Sequence, residues 1–434
     1  IDPDRSFSDP DGTLAILQQA FADSGASGSI EDATASPQGF FDISEKTHAL
    51  YAQANLDFGA VTANIGFRYV DTSIDSLGNT VDGTTGNVTQ GVTSGSYSQF
   101  LPRINIAAEL TDDLLLRASF GEDLNRPNFQ RLSTSVTFGT SENAAVAFGN
   151  PGLSPETVQS WDASLDWYFA PSAVVSVGIF HKKRTNLFVQ QLEDVALDAN
   201  DFADITDPCE GGGVFNPIAQ RNTLSDQPGQ GICVPITTTI NDTGNTTQTG
   251  VEVAFQYDLS RFEDTLGFAS GFGILANYTY QDFGGGDATN SSASRGTDVF
   301  NAINGIYDDS AFVRVTAAQG LLDFSQNAYN LTLYYEKYGL SARARYTWRD
   351  EFRTLDTAAG ASLNSTLGFP VVTEARGQLN GSIVYDVTDY LSFGVEGVNL
   401  TKSKIRQYCV NDGALLCFEG LPDRRITFGA TLRF

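Results

Sequence analysis

The sequence predicts an all-β fold, a transmembrane antiparallel β-barrel with short turns at one end and long loops at the other. Three observations carry the prediction: apolar and polar residues alternate at period two, charge falls on one side of that alternation, and the connections alternate between short and long. No run of ~18 apolar residues occurs, so the chain holds no candidate membrane helix. A barrel escapes that test, because only every second strand residue meets lipid.

Taken in order, the first two strands lie near 45–58 and 60–72, joined by the short link "DFGAV" (57–61). In "VTANIGFRY" (61–69), Val61, Ala63, Ile65, Phe67 and Tyr69 share one face, and Thr62, Asn64, Gly66 and Arg68 the other. Strands near 94–110 and 113–121 follow across "LTDDL" (110–114), with Ile104, Ile106 and Ala108 opposing Arg103, Asn105 and Glu109. Strands near 156–169 and 172–190 are linked by "FAPSA" (169–173), and there Trp161, Ala163, Leu165 and Trp167 oppose Asp162, Ser164 and Asp166.

Strands near 237–258 and 269–283 come next, then 325–337 and 339–350 around "KYGL" (337–340), where Leu340, Ala342, Ala344, Tyr346 and Trp348 oppose Arg343 and Arg345. Strands near 373–387 and 390–401 meet at "DVTDY" (386–390), with Leu379, Ile383 and Tyr385 opposing Arg376, Gln378 and Asn380. The last strand, near 424–434, is "RRITFGATLRF", which sets Ile426, Phe428, Ala430, Leu432 and Phe434 against Thr427, Gly429, Thr431 and Arg433. Long Gly/Asp/Asn/Ser/Thr-rich segments are expected as loops at roughly 73–92, 123–155, 192–236, 284–323, 353–371 and 402–423. A soluble sandwich would turn tightly at both ends; this asymmetry belongs to an outer-membrane barrel. The count is about 13 strands, whereas bacterial single-chain barrels hold an even number. The expectation is therefore that further strands precede this segment, with residues 1–44 an extracellular loop and 45–434 the C-terminal part of the barrel.

Those stretches carry a resemblance. "GNPGLSPETVQSWDASLDWYF" (149–169), "VVSVGIFHKKRTNLFV" (174–189), "TGVEVAFQY" (249–257), "LANYTYQD" (275–282), "QLNGSIVYDVTDYLSFGVEGVNLTKS" (378–403) and the final "GATLRF" (429–434) resemble the C-terminal barrel of TonB-dependent transporters, in the branch common in Caulobacter-like and Xanthomonas-like bacteria. The resemblance covers roughly residues 42–434. It implies a bacterial outer-membrane barrel of about 22 strands closed by an N-terminal plug, with this chain supplying the last 13 or so. It also implies active import of a scarce small solute, a carbohydrate or a metal chelate, captured at the extracellular loops. The alternative is a passive diffusion porin. The partners implied are outer-membrane lipid and lipopolysaccharide, the N-terminal plug and barrel half of the same protein, and a TonB-type energy-coupling protein reached through that half.

With 52 Asp and Glu against 26 Lys and Arg, the formal net charge of −26 lacks the basic footprint that nucleic acid needs. The Asp-rich stretches 2–12 and 284–299 offer oxygen ligands without an EF-hand spacing, so no metal or cofactor is assigned. The expected lumen-facing wall comprises Arg68, Arg103, Arg117, Asp162, Asp166, Arg343, Arg345 and Arg376. It reads either as paired charges that also dock the plug or as a lining selective for an anionic substrate. Trp161, Trp167, Trp348 and the terminal Phe434 are expected at the membrane interface, where amphipathic rings settle. The four cysteines form two loop-local pairs, Cys209 with Cys233 and Cys409 with Cys417, expected as disulfides in an oxidising compartment. The chain has only His48 and His181, and no GxSxG, HExxH or P-loop stretch, so no enzyme is expected. The loop aromatics Phe202, Phe215, Phe300, Tyr307 and Phe312 are candidates to stack on sugar faces.

Overall fold

The computed structural model describes residues 8–25, 40–81, 88–136, 138, 145–193, 195, 204–206, 208–210, 212–221, 229–285, 289–291, 316–318, 322–355, 371–408 and 416–433. One sheet of 13 strands dominates it, and every neighbour in that sheet is the next of these strands along the chain. The strands are β1 (Phe41–Asp57), β2 (Val61–Val81), β3 (Val88–Thr111), β4 (Leu114–Asn125), β5 (Glu156–Ala170), β6 (Ala173–Thr185) and β7 (Thr246–Asp258). They continue as β8 (Phe272–Gly285), β9 (Asn327–Lys337), β10 (Leu340–Arg349), β11 (Arg376–Thr388), β12 (Leu391–Val398) and β13 (Arg425–Leu432). All pairings are antiparallel, for example Leu116 with Leu165, Leu165 with Val177, and Val177 with Val253.

The register aligns the apolar positions into rows that run from strand to strand. One row passes Tyr257, Ile274, Leu333, Ala344, Gly381, Gly397 and Ile426; another passes Phe272, Tyr335, Ala342, Ile383, Val395 and Phe428. Because side chains alternate across a strand, the intervening residues form polar rows, such as Thr62, Ala107, Arg117, Ser164, Gly178, Glu252 and Thr279. Large apolar side chains in the first set stand open to the surroundings, Phe428 at 76% exposure, Ile179 at 58% and Ile383 at 55%. That is the arrangement of a wall whose outer solvent is hydrocarbon. Among the described residues no helix is long and apolar enough to cross a membrane.

Five turns at one end of the wall are two or three residues long, at 58–60, 112–113, 171–172, 338–339 and 389–390. At one of them Tyr338 (φ 55°) and Gly339 (φ 73°) are both left-handed, as a primed two-residue hairpin requires. The sixth connection at this end, 259–271, carries three short helical turns, Ser260–Phe262, Glu263–Leu266 and Gly267–Gly271.

At the opposite end the expected loops hold structure of their own. The segment 73–92, expected as a loop, is largely strand: β2 and β3 stay paired from Val61 with Ala108 to Val81 with Val88. The physical reason is that Ile74 packs with Leu132 and Leu153 in a small core above the wall, so polar-looking strand ends are held by a cover from another loop. Residues 1–44, expected as a loop, include a helix, α1 (Pro10–Asp23), begun by Asp9, whose side chain accepts from the Gly12 N–H at 3.0 Å, and by Pro10 in the first turn. β1 starts at Phe41, four residues before the expected boundary.

Candidate functional site

Two loops build a platform over the wall. Strands Val146–Phe148, Phe188–Glu193 and Ile236–Asn241 form one small sheet, and Val214–Arg221 pairs with Gly229–Val234 in a hairpin. Val146, Val195, Ala219, Ile232, Cys233 and Val234 are buried together, so the platform has an apolar core of its own. Cys209 and Cys233 are disulfide-bonded with their Cα atoms 5.9 Å apart, and Cys233 is only 1% exposed. Cys417 is also disulfide-bonded, while Cys409 lies outside the described residues. Phe215 packs against that core, while Phe202, Phe300, Tyr307 and Phe312 lie outside the described residues.

A second loop sheet, Phe352–Leu355, Val371–Thr373, Ile405–Tyr408 and Leu416–Gly420, stands over β10 and β11. Between this sheet and the polar rows lies a recess of about 490 Å³, lined by Thr347, Arg349, Phe352, Thr373, Gln378 and Gln407 among others. Its groups are held before any ligand arrives. The Arg349 guanidinium lies 3.7 Å from the Phe352 ring centre and donates to Ser325 Oγ (2.8 Å) and the Asp323 carbonyl (2.6 Å). Arg376 donates to Gln378 Oε1 (2.9 Å), and Gln378 in turn to Asn380 Oδ1 (2.9 Å). Such a lining offers guanidinium, amide and hydroxyl groups to an oxygen-rich solute, with one aromatic ring and the acidic residues Asp323 and Glu374 beside them. Glu419, at the sheet's edge, accepts from Lys404 (3.0 Å) and Arg406 (3.1 Å), which hold its carboxyl below the ordinary range.

Further along the polar rows, a wider concavity of about 730 Å³ is bordered by Asn64, Asn105, Arg117, Asp162, Ser164 and Glu252. Here the predicted wall charges pair along the sheet. Asp166, 7% exposed, accepts from Arg117 and from Ser176 Oγ (2.5 Å). Arg103 meets Asp123 at 2.8 Å, Arg343 meets Glu336 at 2.5 Å, and Arg345 reaches Asn330 Oδ1 at 3.3 Å. Asp162 accepts from Ser119 Oγ at 3.4 Å, and Arg68 has no ion-pair partner among the described residues. The pairs are therefore local neighbours, not one convergent cluster.

On the apolar rows, Trp161 lies against Phe120 and His181 (ring centres 5.4 and 5.5 Å), Trp167 against Phe169 (5.2 Å), and Trp348 against Tyr329 (5.2 Å). Trp161 and Trp167 are six residues, ~20 Å of strand, apart. Phe434 lies outside the described residues. Sequence reasoning missed Arg349 and the recess around it. The alternation Arg343, Arg345, Thr347, Arg349 already pointed there, whereas Thr373 and Gln407 arrive from loops distant in the chain.

The family described as "TonB dependent receptor-like, beta-barrel" matches residues 10–400. The chain belongs to that family of outer-membrane receptors. Solved structures agree at the level of fold: the ferric citrate transporter FecA in the unliganded form (TM-score 0.51, 15% identity) covers 90% of this chain and 45% of its own length. The siderophore receptor PiuA from Acinetobacter baumannii (0.52, 12%) covers 90% and 44%, and the ferric-catecholate import receptor Fiu from E. coli K12 (0.54, 13%) covers 91% and 45%. This receptor chain thus spans less than half the length of those relatives. No curated protein matches it. Within a TonB-dependent receptor barrel the short turns face the periplasm and the long loops the exterior, so the recess and the stapled platform lie at the outer mouth.

Proposed function

We propose that this chain is the C-terminal barrel portion of an active outer-membrane importer. Its loops capture a scarce solute at the outer mouth. A plug from the N-terminal part of the same protein, pulled by a TonB-type coupling protein, then opens the way to the periplasm. Family membership supports the transport class, and the recess around Arg349 carries the substrate reading. FecA is named a ferric citrate transporter, PiuA a siderophore receptor and Fiu a ferric-catecholate import receptor. For this chain the guanidinium, amide and hydroxyl lining favours an oxygen-rich solute, a carbohydrate or a metal chelate.

The polar rows are then the lumen wall. Their charges are compensated in the wall itself, by Asp166 for Arg117, Asp123 for Arg103 and Glu336 for Arg343, which favours structural pairing over an anion-selective lining. Arg68 and Arg345 are left to meet the plug. Strands β1 and β13 each pair on one side only among the described residues, and lipid tolerates no open edge. Further strands close the barrel toward a count of about 22. Trp161, Trp167 and Trp348 form parts of the aromatic girdles against lipid and lipopolysaccharide.

The test is uptake of labelled candidate solutes by cells with and without the gene, before and after collapse of the proton-motive force. Accumulation above the outside concentration that disappears with the uncoupler is expected. Uptake that only equilibrates and ignores the uncoupler would instead establish a diffusion porin.

A further inference from the structure

The recess beside Arg349 carries charge of both signs. Arg349 and Arg376 line it as cations, Asp323 and Glu374 as anions, so the lining presents no net charge to a solute. Both arginines already spend N–H groups on uncharged oxygens. Arg349 holds Ser325 Oγ and the Asp323 carbonyl, while Arg376 donates through Nε to Ser403 Oγ (3.2 Å) and through Nη2 to Gln378 Oε1 (2.9 Å). In each guanidinium Nη1 donates to nothing among the described residues.

The two carboxylates stay reachable from outside. Asp323 is exposed, and its side chain accepts no hydrogen bond among the described residues; its backbone is fixed by a left-handed φ of 64° and by its N–H, which donates to the Arg353 carbonyl at 2.8 Å. The Glu374 side chain is 41% exposed and has Arg406 only at 3.8 Å, and Arg406 is itself engaged by Glu419 at 3.1 Å. Amides with unused valences stand between these charges. Asn380 accepts from Gln378 (2.9 Å) while its own Nδ2 donates to nothing among the described residues, and Gln407 donates to Thr373 Oγ1 (3.4 Å), which leaves its Oε1 as an acceptor.

We propose, resting on the import reading above, that the recess takes a neutral saccharide and that Asp323 and Glu374 are the specificity-determining residues that reject an anionic metal chelate. A hydroxyl both donates and accepts. Neighbouring hydroxyls on a sugar ring therefore satisfy the carboxylates through their O–H groups and the guanidinium and amide N–H groups through their lone pairs, filling both kinds of open valence at once. An anion would use the arginines alone and set its charge against two carboxylates, and such like-charge placement is how a site excludes a wrong ligand. A bare cation meets the converse obstacle in Arg349 and Arg376. Phe352, in the same lining, gives the C–H side of the ring an apolar surface.

The experiment uses the purified full-length protein on a glycan array that carries neutral oligosaccharides beside their uronic-acid counterparts, with ferric citrate titrated separately as the anionic chelate. Wild type is expected to retain neutral glycans and to bind the uronic-acid glycans and ferric citrate at least about tenfold more weakly. Asp323→Asn/Glu374→Gln keeps the side-chain shapes and removes both negative charges; it should narrow that discrimination by about tenfold, chiefly by admitting the anions. Asp264→Asn, in the connection at the other end of the wall, should leave every affinity unchanged. Ferric citrate or a uronic-acid glycan bound by wild type as tightly as any neutral glycan, or no neutral glycan retained, overturns the substrate class. Discrimination unaltered in the double variant overturns the role of the carboxylates. Wild type alone decides the substrate class even if the double variant does not assemble. Binding here needs no energy source, so failure on the array is distinct from failure of the import reading, which shows as uptake that ignores the uncoupler.

Discussion

Removing the Cys209–Cys233 bond should loosen the outer platform while leaving the wall intact. The bond closes a loop of 24 residues. In the chain-entropy description that constraint is worth about 2.1 + 1.5R ln 24 cal/mol/K, or about 3.5 kcal/mol at 25 °C. Cys233 also sits in the apolar core beside Ile232 and Val234, so a Cys209→Ala/Cys233→Ala double variant keeps most of the packing and isolates the constraint. At 1.4 kcal/mol per factor of ten, opening of the platform should become more frequent by roughly 300-fold. Hydrogen exchange followed by mass spectrometry reads this directly: amides of 229–241 should exchange faster by up to that factor, those of β4, β5 and β6 should not. The entropic figure is an upper value, because residual structure in the opened loop reduces it. Exchange in 229–241 unchanged within threefold would refute the platform as a locally unfolding unit, and equal acceleration in the wall strands would refute its independence.

Other consequences can be measured in the full-length protein. Leu331→Arg puts a charge on an outward row of β9 and should cost about 2–4 kcal/mol of barrel stability in urea unfolding, whereas the adjacent Thr332→Arg, on a polar row, should be nearly neutral; equal losses would invert the facing. Arg117→Ala leaves the nearly buried Asp166 with Ser176 alone and should cost about 1–2 kcal/mol, discounted because the Arg117 side chain is 48% exposed; adding Asp166→Ala should recover part of it, and a purely additive double variant would deny the pairing. Glu419 is held below its ordinary value of 4.5 by Lys404 and Arg406 in the folded loop, so its contribution is present above that value and lost as pH falls through the folded one. Exchange protection in 405–408 should therefore drop on acidification below 4.5, and Glu419→Gln should abolish that dependence.

What the sequence by itself determined is the wall. Facing is a local property: successive strand side chains point to opposite sides, so Val61 through Tyr69, or Leu340 through Trp348, declare two solvents within nine residues, and the thirteen segments follow from repeating that test. The pairing of Cys209 with Cys233 was legible for a similar reason, being close in the chain. The tertiary structure alone decided what lies above and beside the wall. The platform core joins Val146 to Val195, Ala219 and Ile232 across long loops, and the recess joins Arg349 to Thr373 and Gln407. None of these has a period. Each depends on register and on contacts between segments far apart in sequence, and single residues carry no trace of a neighbour that only folding brings.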